Sequence, residues 1–91
     1  MTRVARRIRV TGDVQGVLFR AWTQDQARGL GVTGWVRNAT DGSVKAHVEG
    51  DQAEVEQLIE RMRAGPPGAS VDGLEAVNSP VESLERFEVR Y

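Results

Sequence analysis

Two positions in this 91-residue chain could carry chemistry on an anion. The first is the segment Asp13-Val14-Gln15-Gly16-Val17-Leu18-Phe19, which ends at Arg20. It fits neither a strand nor a helix period, it contains a glycine, and helix formers begin where it ends. The first N–H groups of a helix lack intrahelical acceptors, and the helix dipole adds positive potential there. A glycine-containing loop feeding such an end can cradle a phosphate, and an arginine at its mouth would add a two-pronged charged contact. The plainer reading makes Gly16 a turn residue and Arg20 a solvated cation. Spacing alone does not separate the two, because one glycine is neither a Walker loop nor a dinucleotide fingerprint. The second position is Gly34-Trp35-Val36-Arg37-Asn38. Asn38 stands just before an Asp41-Gly42 turn, and taken alone it reads as a turn residue satisfying local backbone. Trp35 reads as a packing residue and Arg37 as a solvated cation.

Composition removes most other chemistries. Cysteine is absent, which excludes disulfides, thiolate nucleophiles and cysteine–metal sites. The one histidine, His47, lies on the polar face of a strand between Lys45 and Glu49 with no second ligand beside it. Asp51, Glu54, Glu56 and Glu60 read as helix cap or helix surface, not as a two-carboxylate pair. No metal and no cofactor is therefore expected. Hydrophobic residues at 40% and charged residues at 27% argue against disorder. No apolar run approaches the ~18 residues of a membrane span, and the N-terminus lacks a signal peptide's apolar stretch. The expectation is one cytoplasmic, monomeric domain over residues 1–91, without a membrane partner. Net charge is −1 but uneven: residues 1–45 carry eight basic and three acidic side chains, residues 46–91 four and ten. Eleven of the twelve cations are arginine, which suits phosphate and carboxylate. The asymmetry fits an anion site in the first half, or a chance spread over a solvated surface.

The elements that must position these residues follow from periodicity. Val4, Ile8 and Val10 share one parity against Arg7 and Arg9, a strand with one buried face that ends at Thr11-Gly12-Asp13. From Arg20 to Leu30 helix formers dominate, with Phe19, Thr23, Ala27 and Leu30 on one stripe and Gly31 beyond. Val32–Asn38 and Ser43–Gly50 flank Asp41-Gly42, a hairpin signal. In the second of these strands Val44, Ala46 and Val48 alternate with Lys45, His47 and Glu49, one face buried and one wet. Asp51-Gln52-Ala53-Glu54 has capping-box spacing, and Val55, Leu58, Ile59 and Met62 form a helical face. Gly65-Pro66-Pro67-Gly68 ends that helix. Val71–Val77 and Phe87–Tyr91 read as two more strands. This β-α-β-β-α-β order with a short fifth strand is an α+β, ferredoxin-like sandwich: an antiparallel sheet with two helices on one face.

The blocks together are more specific than their parts. Val10-Thr-Gly-Asp-Val-Gln-Gly-Val-Leu-Phe-Arg20 resembles the acylphosphatase signature V-x-G-x-V-Q-G-V-x-F/Y-R. Gly34-Trp-Val-Arg-Asn-Ala-Thr-Asp-Gly-Ser-Val44 resembles that family's second block, G-W-V-R-N followed by D-G-x-V. Similarity continues through Val48-Glu49-Gly50, Gly65-Pro66-Pro67 and Phe87 to Tyr91. Leu18 and Ala39 depart from the commoner residues, frequently an aromatic and a threonine. The resemblance implies hydrolysis of the carboxyl–phosphate bond of acylphosphates to a carboxylate and inorganic phosphate, without a metal. It maps the catalytic arginine onto Arg20 and the catalytic asparagine onto Asn38. It maps the phosphate loop onto the backbone amides of Gln15, Gly16, Val17, Leu18 and Phe19.

Two competing readings belong to other classes. One is a non-catalytic anion- or carbamoyl-phosphate-binding module, as found inside larger hydrogenase-maturation proteins; the presence of both Arg20 and Asn38 favours an enzyme. The other is an RNA-binding sheet, disfavoured by five aromatics in all and a near-neutral charge balance, so no nucleic-acid partner is expected.

Overall fold

The structure, a computed structural model, describes residues 2–91. The chain runs β1 (Arg3–Asp13), α1 (Phe19–Leu30), β2 (Thr33–Asn38), β3 (Val44–Asp51), α2 (Gln52–Ala64), β4 (Ser70–Asn78) and β5 (Phe87–Arg90). The ferredoxin-like order is as expected, and the five strands lie in the order β4-β1-β3-β2-β5. No helix among the described residues is long and apolar enough to cross a membrane.

Strand parity decides which side chains meet the helices. One row across the sheet pairs Ile8 with Ala46, Ala46 with Val36 and Val36 with Val89. These residues join Phe19 and Ala27 of α1 and Val55, Leu58 and Met62 of α2 in a single apolar core. Burying a side chain of that size contributes about 1.5–3 kcal/mol each. Phe19 is therefore a firm anchor for the start of α1. Gly34 is required where β2 crosses β3: at φ +140° a Cβ would collide with the His47 carbonyl oxygen.

Three expectations need correction. The sheet is mixed, since β5 pairs parallel to β2 while the other pairings are antiparallel. β4 and β5 occupy opposite edges, so the segment joining them must cross the sheet face that carries no helix. That crossing also overturns the wet face read for β3, because His47 and Glu49 are both fully buried. Finally, Asp51 is the N-cap of α2, but its side chain makes no capping hydrogen bond. The Gln52 N–H instead donates to the Thr2 carbonyl at 3.0 Å.

Glu49 is what fastens the crossing segment down. Its carboxylate accepts the Glu82 N–H at 2.6 Å, the Leu84 N–H at 2.7 Å and a contact from His47 Nε2 at 2.8 Å. Arg7 Nε donates to His47 Nδ1 at 2.8 Å; an arginine can only donate, so the ring proton lies on Nε2, facing Glu49. Burial alone opposes ionisation of Glu49, but the Glu82 N–H, His47, the Leu84 N–H and Arg3 outweigh it and hold its pKa at about 2. A carboxyl depressed on folding gives stability that is present above its unfolded pKa and lost as pH falls through the folded value. Glu49→Gln, which turns one acceptor into a donor facing other donors, should cost about 2–3 kcal/mol at neutral pH. Melting of both proteins between pH 7 and pH 3 checks this. The gap in Tm should narrow once pH falls below the ordinary carboxylate range. A gap that stays constant would mean that the Glu49 charge is not what stabilises the crossing.

Candidate active site

Between the buried side chains of Val14 and Phe19 the chain forms a tight arc. Gly16 has φ +78° and Leu18 φ +61°, while Val17 between them stays out of the positive-φ region. Alternation of that kind turns successive N–H groups toward the same side and makes an anion-binding concavity. A left-handed conformation costs a non-glycine residue about 1–2 kcal/mol. Leu18 is 80% exposed, so burial of its side chain does not offset that cost. The strain sits in the loop that would do the binding, as it commonly does at functional sites. Leu18 is also the N-cap of α1, and the first helical turn holds no acidic residue to neutralise the positive helix end. The first helix N–H to find a carbonyl is that of Trp22, which donates to Leu18 O at 2.9 Å. The loop amides ahead of it have no backbone acceptor among the described residues.

The arc is tied to the β2–β3 hairpin by one side chain. Gln15 Nε2 donates to Ala39 O at 2.8 Å and to Ser43 O at 2.9 Å. The hairpin in turn is shaped by Asp41, whose Oδ1 accepts from the Ser43 hydroxyl at 2.6 Å and from the Ser43 N–H at 2.9 Å. Arg9 Nη2 donates to the other carboxylate oxygen at 2.9 Å. These bonds, the Ser43 hydroxyl foremost and then Arg9, hold the Asp41 carboxyl well below the usual carboxylate range. Asp41 thus does the turn work that the spacing assigned to Asn38. The Asn38 carboxamide makes no hydrogen bond to protein among the described residues, and it faces a cleft.

That cleft has a volume of about 660 Å³. Gly16, Leu18, Phe19, Arg20 and Asn38 line it together. Of the sequence-predicted residues, Gln15 and Val17 do not line it: Gln15 acts as the pin, and Val17 is half-buried against the core. The Arg20 guanidinium is held from below, with Nη1 donating to Arg90 O at 3.2 Å and the Tyr91 ring centroid 4.6 Å away. No local signal in the sequence marks Arg90 and Tyr91, because their role depends on β5 taking the edge beside β2. Gln24 and Arg28 also line the cleft, and their spacing of four and eight residues from Arg20 on one helix face was a readable signal. Among the described residues no group of three histidine, cysteine, aspartate or glutamate side chains could hold a metal ion.

Trp35 is a packing residue, as expected, but in a different setting from the cleft. It is buried on the outer face of the sheet, stacked on His47, with the guanidinium carbons of Arg7, Arg37 and Arg90 between 5.1 and 5.7 Å from its ring. Arg37 is accordingly part of this stack and points away from Asn38, its chain neighbour.

Residues 6–89 match the family model described as acylphosphatase. The acylphosphatase of Rhizobium etli is 52% identical over 80 residues, covering 88% of this chain and 85% of that protein. The acylphosphatase of Anaeromyxobacter dehalogenans is 51% identical over 90 residues, covering 98% and 97%. Among solved structures, the acylphosphatase from Bacillus subtilis superposes with a TM-score of 0.94 at 34% identity, covering 97% of this chain and 99% of that one.

Proposed function

This chain belongs to the acylphosphatase family and hydrolyses the carboxyl–phosphate bond of acylphosphates, and from that premise we propose how its residues divide the work. The N–H groups of Gln15, Gly16, Val17, Leu18 and Phe19, with the guanidinium of Arg20, grip the phosphoryl oxygens. Asn38 orients the attacking water in line with the bond that breaks. One observation carries this reading: Gly16, Leu18 and Phe19 of the loop, Arg20 and a carboxamide free of protein partners line a single cleft.

The chemistry asks for little else. The leaving group is a carboxylate with a pKa of about 4, so it departs without a general acid. Phosphoryl transfer gains mainly from positioning and from charge stabilisation on the equatorial oxygens. The proton of the attacking water passes to a phosphoryl oxygen, so no histidine or carboxylate base is needed. N–H groups and a guanidinium meet the phosphoryl charge, and the reading requires no metal ion. It carries with it a monomeric enzyme of the cytoplasm, with inorganic phosphate as a product.

Phosphate release from benzoyl phosphate tests this directly. Turnover should be the same with and without EDTA, and inorganic phosphate should raise the apparent KM while kcat is unchanged. Activity lost in EDTA and restored by a divalent cation would overturn the metal-free mechanism. Purely non-competitive inhibition would put the anion site elsewhere.

A further inference from the structure

The cleft continues past the phosphoryl end. Along it α1 runs antiparallel to β5: Arg20 bonds Arg90 O at 3.2 Å, Gln24 Nε2 donates to Phe87 O at 3.1 Å, and Arg28 and Arg86 line the cleft beyond. Arg28 lies eight residues from Arg20, about 12 Å along the helix axis. Phe87 and Val89 supply apolar wall between the two ends. The guanidiniums at the far end have no carboxylate partner among the described residues, and Arg28 lies in the last turn of α1. Arg3, Arg7, Arg9, Arg63 and Arg90 each pair with a carboxylate, and Arg61 bonds Gln26. Arg28 and Arg86 have neither a side-chain hydrogen bond nor an ion pair among the described residues. The one carboxylate side chain lining the cleft, that of Glu88, lies 3.8 Å from Arg90.

We infer that Arg28 and Arg86 form a subsite for a second anionic group on the acyl half of the substrate, so that the enzyme prefers acylphosphates whose acyl chain itself carries a carboxylate or a phosphate. The inference rests on the phosphoryl group occupying the Gly16–Arg20 end. An acyl chain leaving that end would run over Phe87 and Val89 and deliver its far substituent to two free guanidiniums. Both fork-shaped groups suit carboxylate and phosphate oxygens.

Three probes separate the possibilities: benzoyl phosphate, 4-carboxybenzoyl phosphate and 4-phosphonobenzoyl phosphate, whose rigid rings prevent the far anion from attacking its own anhydride. The wild-type kcat/KM for one or both charged probes should exceed that for benzoyl phosphate by about tenfold, as two partly exposed ion pairs would give. The gain should lie in KM with kcat little changed, since the contact is made equally in ground and transition states. Which charged probe gains more tells whether the subsite takes a carboxylate or a phosphate-like group. The Arg28→Gln/Arg86→Gln double variant should bring the ratio to about one. Arg63→Gln, which removes a like charge from the surface of α2, should leave both the ratio and benzoyl phosphate turnover as in the wild type. Benzoyl phosphate turnover with no preference for the charged probes, or a preference that survives the double variant, would overturn the subsite and leave the phosphoryl reading intact. No turnover of benzoyl phosphate at all would overturn the phosphoryl reading itself.

Discussion

Arg20→Ala is expected to lower kcat/KM by about 10³-fold or more and to weaken inhibition by inorganic phosphate at the same time. Both effects follow from one guanidinium serving the bound phosphate and the transition state. Removing a single preorganised donor at a reacting centre costs about 10²–10³ in rate, and an arginine on a transferring phosphoryl group is worth about 10³–10⁵. Arg20→Lys should recover little, because an ammonium cannot present two parallel N–H groups and could not keep the bond to Arg90 O in the same geometry. Folding should hardly change. Arg20 is only half-buried, and that one bond and the Tyr91 ring are its polar and aromatic partners. Steady-state kinetics with phosphate inhibition checks both variants, and near-normal kinetics in either would remove Arg20 from the site.

Asn38→Ala should separate catalysis from binding. With its amide lost, the water is no longer held in line, and kcat should fall by about 10²–10³, or ~3–4 kcal/mol. Phosphate should still bind with near wild-type affinity, because the cradle and Arg20 remain. Tm should also stay close to wild type. The hairpin is held by Asp41 with Ser43 and by Gln15, and the Asn38 side chain contributes no protein hydrogen bond to it. A turn role for Asn38 predicts the opposite pattern, a lowered Tm with modest kinetic change. A variant that hydrolyses acylphosphate within a few-fold of wild type would mean that another group holds the water.

The sequence carried the parts of the site that are local. Gly16 and Arg20 announce a loop feeding a helix end, and strand parity separates Val44, Ala46 and Val48 from Lys45, His47 and Glu49 without any tertiary information. The second block was legible as a strand meeting a hairpin, and its resemblance supplied the role of Asn38 that its position did not. What stayed hidden depends on the strand order. β4 covers the outer edge of β1, and β5 lies parallel to β2 at the opposite edge of the sheet. The crossing that this order forces buries His47 and Glu49, although their alternation with valines says solvent. The same order brings Arg90 O to Arg20 across 70 residues. The basic first half was a poor guide to the anion site. Arg7 and Arg9 are taken up on the outer sheet face by Glu82, Asp41 and Glu75, Arg37 stacks there on Trp35, and only Arg20 and Arg28 of that half reach the cleft.

A titration of ¹⁵N-labelled wild-type protein with inorganic phosphate, followed amide by amide, reads the grip of the loop on phosphate directly. The N–H resonances of Gln15 to Arg20 should shift together along one saturation curve, with the Arg20 side-chain resonance following it and an affinity equal to the kinetic inhibition constant. Shifts centred instead on the outer sheet face around Arg7, Arg9 and Arg37, with the Gln15–Arg20 amides unmoved, would place the phosphate site on that face and not in the loop.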